Sequence, residues 1–229
     1  MTGVYDIDYF EGRRRKRQFI YRLRRRTDEV ERVLRRYNSG PLHTIVDVGT
    51  ADGLMLAELR QRLGSLTFLG IDYSLPLLKA ITLEGIRKAQ GDALALPVRS
   101  RTADAVIATA VIEHVPDADG LLRECRRVLR PGGLLVLTTP NPLMDRLAAI
   151  LGILKDAQHG QTFTLKELSA RVTTHGFEIV EACKFMFSPI GFPAEKTIEK
   201  ILGPWGLQLI MANQLVVGRK YQELAKGSE

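Results

Sequence analysis

The residues Ile45-Val46-Asp47-Val48-Gly49-Thr50-Ala51-Asp52-Gly53 place a carboxylate and two glycines between a β-branched run and a helical pattern. Glycine lets a backbone pass close beneath a ligand. A helix N-terminus adds N–H groups and the positive end of a dipole. The dinucleotide version of such a loop has three glycines spaced to approach a pyrophosphate. Here Ala51 takes the middle position and Asp47 precedes the first glycine. A carboxylate so close would repel a pyrophosphate and suit a ligand with an ammonium group.

Three further stations follow. Gly70-Ile71-Asp72-Tyr73 puts Asp72 23 residues after Gly49, at the end of a second strand. There a carboxylate can accept hydrogen bonds from both hydroxyls of a ribose. Gly91-Asp92-Ala93-Leu94 stands at the end of a third strand. Ala108-Thr109-Ala110-Val111-Ile112-Glu113-His114-Val115 stands at and after the end of a fourth. His114 is the first candidate for a general base, since an unperturbed histidine titrates near about pH 6.5. Glu113 stands beside it, and the pair could equally pin a loop. His159, before Phe163, is a further catalytic candidate. His175 reads as a helix-end residue, and His43 precedes the first strand without a chemical role.

The elements that must carry these residues alternate. Strands are expected at Thr44–Val48, Leu66–Ile71, Ile86–Gln90, Ala103–Thr109 and Leu134–Thr139, the last after a turn at Pro131-Gly132-Gly133. Helices are expected at Asp52–Leu63, Leu75–Leu83 and Asp117–Leu129. This alternation argues for a parallel sheet covered on both faces. Thr164–His175 is expected to be a helix capped by Thr162 or Thr164, with Gly176 past its end. Phe177–Phe187 and Ala212–Lys220 read as strands. The Pro- and Gly-containing segment between them lacks a clear crossover helix, which suggests an antiparallel pair.

The chain has 229 residues, 45% of them hydrophobic, enough for one sizeable core. No apolar run reaches the roughly 18–20 residues that span a bilayer, and no signal peptide is expected. A cytoplasmic location is the expectation. Cys125 and Cys183 read as buried thiols rather than a disulfide or metal site. The formal charge is +7, and residues 1–40 hold twelve Arg or Lys against six Asp or Glu. Residues 12–37 read as one helix with an apolar stripe of Phe19, Leu23, Val30, Leu34 and Tyr37 and arginine on the other faces. Two units are therefore expected: 1–40, with Tyr5, Tyr9 and Phe10 before the basic helix, and 41–229.

At this point the sequence resembles the class I S-adenosylmethionine methyltransferases, over roughly residues 42–183. Asp47-Val48-Gly49-Thr50-Ala51-Asp52-Gly53, Gly70-Ile71-Asp72 and Gly91-Asp92-Ala93 match the family's first three stations. Ile112-Glu113-His114-Val115-Pro116-Asp117 and Leu129-Arg130-Pro131-Gly132-Gly133-Leu134 match its later ones. The resemblance implies a Rossmann-like, doubly wound seven-stranded sheet, mostly parallel, with a C-terminal antiparallel hairpin. It implies S-adenosylmethionine as cofactor. Gly49, Thr50, Ala51 and Gly53 would hold its methionine part, and Asp47 its amino group. Asp72 would bind the ribose and Tyr73 would stack on the adenine. Asp92 would accept from the adenine amino group, with backbone at Ala93 and Thr109 completing the pocket.

Within the family the chain looks most like the branch of the ubiquinone-biosynthesis O-methyltransferases. There the segment matching Ala110–His114 carries two glutamates and a histidine proposed to hold a divalent metal. Here Ala110 replaces the first glutamate. Two ligands are few for magnesium, so no metal is expected. The expected acceptor is a small molecule, O-methylated and of lipophilic quinone or lipid-linked glycan type, because the apolar segment from Ile190 to Leu207 could roof a greasy site. The basic helix would rest on anionic headgroups, making the protein peripheral at a membrane. An RNA substrate bound by that helix is the alternative, and a non-enzymatic scaffold for a nucleotide or a partner is a third reading.

Overall fold

The structure is a computed structural model. It describes residues 16–38, 40–150, 160–188 and 211–222, together with 191, 195, 197 and 199. In chain order the elements are α1 (Arg17–Tyr37), β1 (Thr44–Val48), α2 (Leu54–Leu63), β2 (Thr67–Asp72), α3 (Leu75–Lys79), β3 (Ile86–Gln90) and β4 (Ala103–Thr109). There follow α4 (Ala118–Val128), β5 (Leu129–Pro140), α5 (Pro142–Ile150), α6 (Leu165–Thr174), β6 (Phe177–Phe185) and β7 (Asn213–Lys220).

The seven strands form one sheet in the order β3-β2-β1-β4-β5-β7-β6. The first five are parallel, and β7 runs antiparallel to both β5 and β6. The order reverses between β1 and β4, and the crevice beyond the strand ends at such a switch point is where open α/β sheets bind ligands. β1 and β4 read as near-continuous apolar runs because both faces of the sheet are covered. On one face Val46, Val106, Leu135 and Leu137 pack with α4 residues Leu121, Leu122 and Cys125 and α6 residues Leu168 and Val172. On the other, Ile45, Ile107, Leu134 and Val136 pack with Met55, Leu56 and Leu59 of α2 and Val30, Val33 and Leu34 of α1.

α1 is oriented by contacts at its middle and at its C-terminal end. Arg26 Nη2 donates to Asn213 Oδ1 at the start of β7 (3.2 Å), and Arg219 Nη2, near the end of β7, donates to the Tyr37 carbonyl (2.7 Å). Its N-terminal half therefore lies at the edge of the sheet where the parallel strands end. The expected start at residue 12 falls outside the described residues.

Several expected boundaries move. β5 begins at Leu129, before the Pro-Gly-Gly run. Ala103 pairs with Leu129 and Ala105 with Leu134, so the run is extruded from within the strand as an irregularity. Proline cannot donate to a ladder and is tolerated at such a bulge. α3 ends at Lys79 rather than Leu83, because Ile81 turns into the core and its carbonyl accepts from Lys88 Nζ at 2.8 Å. α5 has no counterpart in the periodicity. It begins with Pro142 at its first position, and Asn141 Oδ1 accepts the Leu143 N–H at 3.2 Å. α6 starts with a full capping box, Thr164 with Glu167. Both cysteines are free thiols, Cys125 buried and Cys183 half-buried.

Candidate cofactor and acceptor site

Asp47 is buried near the end of β1. Burial pushes its carboxyl up to about 7, helped by the charge of Asp72. A desolvated carboxyl in this state is a poor neighbour for phosphate and a good one for an ammonium group. After it the chain makes a tight loop. Gly49 and Thr50 donate to the Ile71 carbonyl at 2.8 and 3.0 Å, and Gly53 donates to the Thr50 carbonyl at 2.9 Å. Gly49 sits at φ +73°, and a Cβ there would lie 2.5 Å from Val111 Cγ2. Ala51 also adopts the left-handed region, at φ +51°. That makes Ala51 a strained residue, at a point of the loop that glycine would occupy without strain.

Asp72 ties the loops together. Its Oδ2 accepts the Ala51 N–H and its Oδ1 the Ser74 N–H, both at 2.8 Å. Its carbonyl accepts the Gly91 N–H at 3.0 Å. Burial raises its pKa, against the lowering by those backbone donors. A carboxylate has about four lone-pair sites, so two backbone bonds leave capacity for ribose hydroxyls. Tyr73 is 48% exposed beside it, presenting a ring face for stacking. Asp92 is exposed, with one oxygen accepting the Leu94 N–H at 2.8 Å, and Ala93 packs against the core. Thr109 closes this crevice at the end of β4, with its hydroxyl 3.9 Å from Met55 Sδ.

The loop after β4 is anchored at both ends. Ala110, at φ +55°, donates to the Thr138 carbonyl at 2.8 Å. His114 donates its N–H to the Val111 carbonyl at 2.9 Å and is half-buried. The Glu113 side chain is 1% exposed, while its carbonyl accepts the Gln161 N–H at 3.1 Å. Glu113 thus faces inward, and of the pair only His114 reaches solvent. His159 lies outside the described residues. His175 caps α6, with Nδ1 2.7 Å from the Arg171 carbonyl, and His43 is exposed. Among the described residues no group of three or more His, Cys, Asp or Glu is arranged to hold a metal ion.

Sequence reasoning missed Val111, which covers Gly49, and the polar pair Asn141 and Asn213 at the ends of β5 and β7. Only their place at the margins of apolar strand runs marks them.

A buried acid before a left-handed loop, a second acid on the next strand and an exposed tyrosine thus meet beside the switch point of the sheet. Residues 13–182 match a family described as a methyltransferase domain, and the chain belongs to that family.

A malonyl-[acyl-carrier protein] O-methyltransferase of Coxiella burnetii is 34% identical over 98 residues, 43% of this chain and 34% of that one. A ubiquinone biosynthesis O-methyltransferase of Xanthomonas oryzae is 38% identical over 104 residues, 42% and 43% of the two chains. The chain spans less than half the length of these two relatives. A solved S-adenosylmethionine-dependent methyltransferase of Thermotoga maritima shares the fold, with TM-score 0.65 at 18% identity over 86% of this chain and 90% of that one. So does Haemonchus contortus phosphoethanolamine N-methyltransferase 2, solved with S-adenosylmethionine, with TM-score 0.62 at 18% identity over 85% and 53%.

Proposed function

We propose that this chain is a methyltransferase that uses S-adenosylmethionine, and that it acts on an oxygen of a lipophilic small molecule, of quinone or lipid-linked glycan type, at an anionic membrane surface. The observation that carries this reading is an apolar ridge at the reacting end. Leu143 and Leu147 stand one turn apart on α5, immediately after the end of β5, and are 44% and 40% exposed. A large apolar acceptor would cover such a ridge. Similarity to a ubiquinone biosynthesis O-methyltransferase supports the same class. No helix among the described residues is long and apolar enough to cross a membrane, so attachment would be peripheral.

In this reading Gly49, Thr50, Ala51 and Gly53 hold the methionine arm, Asp47 its ammonium, Asp72 the ribose and Tyr73 one face of the adenine. Asp92 accepts from the adenine amino group, and backbone at Ala93 and Thr109 completes the pocket. The cofactor supplies a methyl group on a sulfonium, so the protein mainly positions the acceptor and excludes water. His114 takes the acceptor's proton. Glu113 and His159 are the further catalytic candidates.

The arginines speak less for RNA than their number suggests. Arg24, Arg25, Arg32 and Arg35 are ion-paired with Glu58, Glu199, Glu181 and Glu31. Exposed Lys16 and Arg17, with the arginines before them in sequence, are left to meet headgroups. The test is incubation with methyl-labelled cofactor and fractionated extracts. Label entering the lipid-extractable fraction supports the proposal, and label entering RNA or polar molecules overturns it.

A further inference from the structure

Arg25 belongs to the most basic stretch of the chain, yet it is 4% exposed. Its Nη2 donates to Glu199, whose other oxygen accepts the Phe187 N–H at 2.8 Å. One helical turn earlier, Tyr21 OH donates to Glu195, whose other oxygen accepts the Ser188 N–H at 2.8 Å. Residues 195 and 199 are in helical conformation, four apart, as Tyr21 and Arg25 are on α1. Two side-chain rungs therefore join α1 to the connection between β6 and β7. A third contact runs from Arg26 to Asn213, whose Nδ2 donates to Met186 Sδ at 3.4 Å.

This connection leaves and re-enters the sheet at the reacting end. Ala212 donates to the Met186 carbonyl at 2.7 Å. Asn141 donates through Nδ2 to the Met211 carbonyl (2.7 Å) and through its backbone to the Ala212 carbonyl (2.9 Å). Asn141 lies three residues beyond Thr138, whose carbonyl holds Ala110 at the head of the His114 loop. A bonded path thus runs from α1 to that loop. An apolar pair would stabilise the fold at least as well as a buried ion pair. What a guanidinium and a phenol on two carboxylates add is one register, since each carboxylate is also fixed by a backbone N–H.

We infer that Tyr21 and Arg25 are positioning residues for methyl transfer: they hold the β6–β7 connection in register with the His114 loop and so set where the acceptor lies. The inference rests on the reading of the His114 end as the acceptor end. It gives the basic helix an inward function, separate from any surface its exposed cations meet.

The test uses the full chain with Tyr21→Phe, Arg25→Met and Arg25→Lys. Hydrogen exchange is read at the Phe187 and Ser188 amides, cofactor affinity by calorimetry, and half-saturation with whichever extract fraction takes the label. Tyr21→Phe should speed Ser188 exchange about tenfold, the loss of one hydrogen bond to a carboxylate. Arg25→Met should do the same at Phe187, and Arg25→Lys should partly restore it. The amount of active fraction for half-saturation should rise severalfold while cofactor affinity stays within twofold. Unchanged exchange at both amides overturns the inference, as does unchanged half-saturation. A parallel loss of cofactor affinity overturns it too, by showing a general loosening of the domain. If Arg25→Met does not fold, Tyr21→Phe and Arg25→Lys decide. Label appearing outside the lipid fraction sinks the acceptor class alone, because the amides and the kinetic split are read whatever the fraction.

Discussion

Asp72 Oδ2 accepts the backbone N–H of Ala51 at 2.8 Å, which makes the acid after β2 and the loop after β1 one piece. Asp72→Ala should therefore lower cofactor affinity in two ways, by losing the ribose acceptor and by freeing the loop. A charge-assisted hydrogen bond is worth on the order of 1.5–3 kcal/mol, so a loss of about tenfold to a hundredfold is expected while the sheet stays folded. Calorimetry beside a circular dichroism melt measures both. Full affinity in a folded variant would show that Asp72 does not bind the ribose.

Ala51→Gly should relieve a residue held at φ +51°. The left-handed region costs an alanine roughly 1–2 kcal/mol, and glycine gives back about 0.5–1 in unfolded-chain entropy. A net gain of up to about 1 kcal/mol in denaturant unfolding is expected, with cofactor affinity equal or better. Gly49→Ala goes the other way, since its Cβ would strike Val111. Its cofactor affinity should fall, and a measured affinity equal to the parent's would refute the close-approach role of Gly49.

Cofactor binding should depend on pH through Asp47. Its carboxyl is pushed up to about 7 by burial. An ammonium group binds the ionised form, so affinity should rise with pH up to about 7 and level off above it, with proton release on binding below that point. In the ligand-free protein the sign reverses. The folded pKa lies above the ordinary value of 3.8, so this group's stabilising contribution is present at low pH and is lost as pH rises toward 7. Titration calorimetry in two buffers reads the proton, and Asp47→Asn should flatten the profile.

His114→Ala should lower turnover by roughly 10²–10⁴-fold with little change in cofactor affinity, the range of a lost general base. Turnover unaffected by the change, on the acceptor found in the extract assay, would return His114 to pinning its loop.

Changing Arg13, Arg14, Arg15 and Arg17 together to Gln should abolish co-sedimentation with anionic vesicles at low salt and leave cofactor affinity intact. Each cation near an anionic surface is worth about 1 kcal/mol, within a Debye length. RNA added as competitor separates the two polyanions. Tight RNA binding with no vesicle binding would overturn the membrane reading.

The order of stations along the chain, Asp47 with its loop, Asp72, Asp92 and the Glu113-His114 segment, was legible in the sequence. Each sits at or just past the end of an expected strand, and local periodicity places strand ends without tertiary information. The antiparallel end of the sheet was legible for a similar reason, since the segment between β6 and β7 shows no crossover pattern. Tertiary structure alone decided the rest. The arginines of α1 looked like a free cationic surface, but their partners Glu58, Glu181 and Glu199 are distant in sequence, and no spacing rule reveals an ion pair closed by folding. α3 stops early because Ile81 is drawn into the core beneath Gly53, a packing demand that overrides helical propensity. Glu113 and His114 are adjacent in sequence and differ in what they face, because Ala110 and Val111 anchor a tight turn that buries the first side chain and leaves the second half-exposed.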